Sequence, residues 1–381
     1  MSRRVAAVLL ALLVVLGGGA LYYYQRGASH RPADLATIGQ PLFRDLEAAK
    51  VAAIAIRDPK GALTLELKGG RWGLAERGEF PADFAKVKAF ALKAIELKIG
   101  QVDPIGAKDR ARLKLLPPGE GAGSGTLVEL RAADGKPLAS MIVGEKYFKQ
   151  TPDDPATASA DGRFVMLPAR PNTVYVVGDP LAQATSASSA WIDRTGFAVD
   201  KVSSLAYRPA EGESWKIERP TEKGEWKLEG AKAGEKLEFT KANAAAYALG
   251  SVPLDDVASP DASPAVTGLA TPATIVATTF DGLAYTIRLG KLSGTDYYAR
   301  LDIEGTPPAS REPEKGESAA DKARRDKEFE THLKALQARL PRERALAKYV
   351  LLLPKASFDD LLKTRAELLQ KSSPEKSSKK R

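Results

Sequence analysis

Two histidines, His30 and His332, are the only imidazoles in the chain, and it has no cysteine. Catalytic zinc needs three protein ligands converging on one ion, and two isolated histidines without a thiolate cannot supply three nitrogen or sulfur ligands. A triad base is oriented by a third group, and neither histidine stands in an apolar strand-end context that would do this. His30 follows an N-terminal apolar run and His332 lies in a densely charged stretch. Ser373 and Lys376 have Ser-x-x-Lys spacing, but they fall in a polar Ser/Lys-rich tail that reads as disordered. The glycine run from Gly119 to Gly125 follows Pro117-Pro118, lacks the Gly-Lys-Ser/Thr ending of a phosphate loop and leads into a strand. It reads as a connection. Asp153-Asp154 and Asp255-Asp256 offer hard oxygens without calcium-loop spacing and read as exposed turns. Trp72 and Trp226 make the best case for a stacked ligand, yet they are equivalent in an internal repeat, which packing between sheet and helix explains. The residues predict no enzyme, no cofactor and no metal.

The elements that must carry these residues occur twice. The first pass reads Arg71-Trp72-Gly73-Leu74, a helical run from Pro81 to Leu97, a turn at Asp134-Gly135, Val143-Gly144 and Leu167-Pro168. The second reads Glu225-Trp226-Lys227-Leu228, a helical run from Thr240 to Leu249, Asp281-Gly282, Leu289-Gly290 and Leu353-Pro354. Val51–Ile56, Leu63–Leu67 and the strand opening at Trp72 alternate as a meander with tight turns at Asp58-Pro59-Lys60-Gly61 and Gly69-Gly70. In the first helix Pro81 suits the first turn and Asp83 the positive end of the dipole. Phe84, Val87, Ala91, Ile95 and Leu97 supply its apolar stripe, and Gly100 ends it. The pattern predicts an α+β fold: two tandem copies of an antiparallel meander plus a packed helix, behind an N-terminal transmembrane helix. The copies are placed at residues 49–200 and 201–370, after a linker over 27–48.

The second copy carries about 40 extra residues, a charged helical insertion over 305–347. Within it Phe329, Leu333, Leu336 and Leu340 alternate spacings of four and three, a narrow heptad-like seam. Such a seam serves either as a helix lying on its own domain or as a partner-binding helix, and these four residues are the candidate partner-binding site.

The formal charge of +9 sits at the ends. Arg3, Arg4, Arg26 and Arg31 face no acid within the first 31 residues, and Lys371, Lys376, Lys379, Lys380 and Arg381 face only Glu375 in the tail 371–381. About +1 remains for the folded middle, which argues against a nucleic-acid surface. Val5 to Tyr24 is apolar over the length that spans a bilayer as a helix, with Arg3 and Arg4 before it and Tyr22-Tyr23-Tyr24 behind. It predicts a signal anchor over 1–26 with the rest of the chain exported; a cleaved signal peptide is the competing reading.

The N-terminal anchor, Gly69-Gly70-Arg71-Trp72-Gly73-Leu74, Pro81-Ala82-Asp83 and the downstream Val143-Gly144 together resemble a bacterial envelope family catalogued as domain of unknown function 4340. Thr240 stands in the second copy where the aspartate of Pro-Ala-Asp would fall. Members of that family are often encoded beside membrane components of ABC-type export systems. The resemblance implies an inner-membrane-anchored periplasmic protein without catalytic residues, partnered with transporter permease or auxiliary subunits. The alternative is a binding module for a cell-envelope glycan or lipid in a groove between the two copies.

Overall fold

A computed structural model describes residues 37–150, 152–313 and 316–370. The segment read as an anchor, the first part of the linker and the basic tail lie outside the described residues. Among those described, no helix is long and apolar enough to cross a membrane. The chain divides into two compact units: residues up to 69 with 84–187, and residues 70–83 with 188 onward. Each is an antiparallel sheet with few helices, an α+β arrangement.

The first unit holds β1 (Ala53–Asp58), β2 (Gly61–Lys68), α1 (Phe84–Glu96), β5 (Ile99–Pro104), α2 (Ala107–Arg112), β6 (Thr126–Arg131), β7 (Pro137–Tyr147), β8 (Gly162–Met166) and β9 (Thr173–Val177). Within the unit its strands lie in the order β2-β1-β6-β7-β8-β9-β5. Strand residues alternate between faces, and register aligns Ile54 with Leu65 and Leu130, and Ile56 with Leu63 and Val128. All six are buried, as are Val87, Phe90 and Ala94 on α1. The opposite face is also covered: Ile142, Met166 and Val174 join Ile105 and Leu115 in a second cluster.

The stripe on α1 departs from the expected one. Phe90 is buried and Phe84 is 62% exposed, because the helix begins only at Phe84 and turns Val87, Phe90 and Ala94 inward at spacings of three and four. Pro81 lies before the helix, in β4 (Phe80–Pro81), paired to Gly73 in β3 (Arg71–Leu74). That hairpin belongs to the second unit. Gly100 falls inside β5.

The second unit continues with β10 (Val202–Arg208), β11 (Trp215–Glu218), β12 (Lys227–Leu228), α3 (Phe239–Tyr247), β13 (Asp256–Val257), α4 (Pro264–Thr267), β14 (Ala273–Thr279), β15 (Leu283–Ser293), β16 (Asp296–Gly305), α5 (Ala319–Ala345) and β17 (Leu351–Pro354). Its order is β12-β11-β10-β14-β15-β16-β17-β13, and the seven strands from β11 to β13 repeat the order of the first unit, with α3 in the place of α1 and α4 in that of α2. The glycines read as strand-end markers share a cause. A Cβ on Gly144 would stand 2.3 Å from the Leu113 carbonyl oxygen just after α2, and one on Gly290 would stand 2.0 Å from that of Thr267 at the end of α4. In both copies the short helix ends on the strand so closely that only hydrogen fits. Leu167-Pro168 and Leu353-Pro354 are not equivalent, since the first pair follows β8 whereas the second ends β17, the counterpart of β9. Residues 167–172 join β8 to β9; in the second copy the same connection is 306–350 and contains α5.

Candidate functional site

The inserted helix α5 is the largest feature of one copy that the other lacks. Ser318 caps it, accepting the Asp321 N–H at 3.1 Å, and Asp321 sits near the positive end of the dipole. Leu336 and Leu340 are buried, 2% and 5% exposed, whereas Phe329 and Leu333 are half-buried. The candidate seam therefore divides: its C-terminal half serves the core of its own unit, and its N-terminal half is partly open. From Ala319 to Thr331 most of the helix is exposed and charged. Ion pairs along its own surface include Lys322–Asp326 at 2.7 Å and Arg324–Glu328 at 2.9 Å.

A polar cluster fixes the inner side of α5. His332 Nε2 lies 2.7 Å from Asp281 Oδ2, and the other carboxylate oxygen takes Lys201 Nζ at 3.4 Å. Asp281 is only 6% exposed. It is the turn aspartate of β14–β15, the counterpart of Asp134, which is exposed and holds Lys136 at 2.8 Å. One turn residue thus has two uses, and the buried use exists where the insertion brings an imidazole. The pairing joins residues 51 positions apart, so no local motif announces it. It orients an imidazole as the carboxylate of a triad does, and the carboxylate's two oxygens are taken up by His332 and Lys201, so the cluster acts as a clamp.

Two turns further on, Arg339 donates to Asp200 at 2.7 Å and to the Ala198 carbonyl at 3.2 Å. It also faces Glu343 at 3.6 Å. Glu343, 1% exposed, accepts the Ala198 N–H at 3.2 Å. Burial pushes its carboxyl above the ordinary range, against the pull of Arg339. Burial pushes the neighbouring Tyr285 hydroxyl up to about 12, the Glu343 charge adding to the effect. Together these groups hold the helix by charge-assisted bonds.

The other candidates have structural employment. Asp154 accepts from Thr157 Oγ1 at 2.7 Å and Ala156 N at 3.0 Å, Asp255 pairs with Arg194, and Asp256 accepts the Ser188 hydroxyl at 2.7 Å. Trp226 is buried, donates its indole N–H to Asn243 on α3 at 2.9 Å and lies beneath Arg219 at 4.5 Å. That is sheet-to-helix packing. Trp72 is half-buried. Residues 119–125 form a loop closed by the Leu116–Ser124 bridge. His30, Ser373 and Lys376 lie outside the described residues. A cleft of about 350 Å³ opens at the ends of β10, β11 and β14, lined by Tyr207, Arg208, Trp215, Lys216, Thr274 and Arg365 among others. The Trp215 ring is buried and its N–H donates to the Lys363 carbonyl at 2.8 Å.

A family model described as domain of unknown function (DUF4340) matches residues 72–272, more than half of the chain. No curated protein and no solved structure matches it. The chain belongs to the DUF4340 family.

Proposed function

We propose that this DUF4340 protein is a non-enzymatic accessory subunit of an ABC-type transport system. On this reading it is anchored in the inner membrane by its apolar N-terminus, with both units exported, and it works by docking to a permease or auxiliary membrane protein. The observation that carries the reading is α5. Only the second copy has it, its C-terminal half is bolted down by Arg339, Glu343 and the His332–Asp281 pair, and its N-terminal half offers an exposed charged surface. A helix held at one end and open at the other presents contacts at low entropic cost. Lys327 and Lys334, exposed and seven residues apart, lie on one outward face. Reversing both in the full-length protein leaves the fold intact and abolishes recovery of the permease after cross-linking in native membranes; undiminished recovery would contradict docking through this face.

A second reading, a binding module for an envelope glycan or lipid, is favoured by the cleft beside Tyr207 and Trp215. Trp215 lines that cleft, so its contribution to the intrinsic fluorescence reports on it. A saturable change on titration with envelope glycan or lipid extracts supports this reading, and its absence counts against it.

A further inference from the structure

Helix α1 has two apolar faces, and its core needs only one. Val87, Phe90 and Ala94 are buried. On the other side Phe84 is 62% and Leu92 39% exposed, with Ala85 and Ala89 also exposed. Exposed Lys88 and Lys93 border this surface and Lys98 follows it, against one exposed acid on the same side, Glu96; Lys93 also meets Asp179 at 3.3 Å with 53% of its side chain open to solvent. An exposed Phe/Leu surface rimmed by lysines is the composition of a helix that rests on an anionic lipid interface.

Where the chain enters the fold says what covers this face. Gly39 N–H donates to the Ile99 carbonyl and Leu42 N–H to that of Leu97, both at 2.7 Å. The described chain therefore begins beside the C-terminal end of α1. Fourteen residues, 25–38, separate the apolar run Val5–Tyr24 from Gly39, a tether of at most about 50 Å when extended. Helix α3 makes the contrast. Phe239 and Tyr247 are exposed there too, but Lys241, its one lysine, is spent on the Glu367 carbonyl at 2.6 Å and that of Leu369 at 3.4 Å. It has neither the cationic rim nor the entering chain.

We infer that the outer face of α1, through Phe84 and Leu92, rests on the anionic lipid surface in which the N-terminal apolar run is embedded. The inference rests on the anchoring reading above, and the test separates the two. The chain has no cysteine, so F84C and L92C, with K327C as control, each place one NBD fluorophore in the full-length protein. Each is reconstituted in phosphatidylethanolamine–phosphatidylglycerol vesicles. At positions 84 and 92 the emission shifts to the blue and brominated lipid quenches it, while position 327 keeps a water-like spectrum. Protein that floats with the vesicles while positions 84 and 92 behave like 327 overturns the lipid contact and leaves the anchor standing. Protein that does not float overturns both.

Discussion

Truncating Arg339 to alanine isolates a buried charge. The guanidinium faces Glu343 at 3.6 Å and acts on it more strongly than Arg342 does, and Glu343 is 1% exposed with one oxygen that has no hydrogen-bond partner among the described residues. In Arg339→Ala that carboxylate keeps the Ala198 N–H at 3.2 Å. Breaking a fully buried pair from one side costs about 3–5 kcal/mol. The Arg339 side chain is 27% and that of Asp200 42% exposed, and solvent screening reduces the cost to about 2–3 kcal/mol. Glu343→Gln removes the charge while keeping an acceptor for Ala198, so alone it costs less than about 1 kcal/mol. The double variant recovers about 1–2 kcal/mol of the arginine loss. Urea unfolding followed by tryptophan emission measures this directly, because every tryptophan lies in the second unit. The pH dependence has a definite sign. Burial raises the folded carboxyl above its ordinary value, so its contribution to stability is complete below the ordinary glutamate range and is lost as pH rises through the raised folded value. The Arg339→Ala deficit therefore shrinks on acidification, and the Glu343→Gln background lacks this dependence. A deficit under about 0.5 kcal/mol, or one that glutamine fails to relieve, would refute the reasoning.

Three further outcomes follow from the same geometry. Gly290→Ala and Gly144→Ala each force a methyl to about 2 Å from a backbone carbonyl oxygen and cost about 2–4 kcal/mol. Gly178→Ala, with no atom within 4 Å, stays within about 0.5 kcal/mol in thermal denaturation followed by circular dichroism. Asp281→Asn loses the charged partner of His332 and Lys201 and destabilises the second unit by about 1–2 kcal/mol, with amide exchange accelerating first around residues 325–335. Burial alone would raise the Asp58 carboxyl, but hydrogen bonds from Ser186, Lys60 and Gly61 outweigh it and hold the group below its ordinary value. Its contribution is therefore present above the ordinary aspartate range and lost as pH falls through the folded value; exchange at Ser186 N–H should accelerate on acidification in the native chain and be fast at every pH in Asp58→Ala.

The repeated architecture was legible because it is written in local signals. Alternation marks β1, β2, β6 and β14, turn pairs mark Asp134-Gly135 and Asp281-Gly282, and the insertion shows as a length difference. Strands β5, β13 and β17 escaped because each owes its place to a distant partner: β5 pairs with β9, and β13 with β17. The ten-residue β16, between β15 and β17, escaped as well. The stripe on α1 was assigned one turn out at its start because Phe84 satisfies the helical period from the outside as well as Phe90 does from the inside. The clamp on α5 was invisible for another reason. Asp281, Lys201 and His332 come from a turn, a loop and an insertion, and only the folded sheet brings them together. Neither the spacing of Leu336 and Leu340 nor their type tells a core seam from a docking seam; burial does.

The central claim, that the free half of α5 docks to a transporter subunit, is tested most directly by a photo-cross-linking residue at position 327 of the full-length protein in its own membranes, with the adducts identified by mass spectrometry. The account predicts a discrete adduct with a permease or auxiliary membrane subunit from position 327 and none from the buried position 340. Cross-links from 327 to lipid or solvent alone, in cells where the protein is intact and membrane-bound, would contradict it.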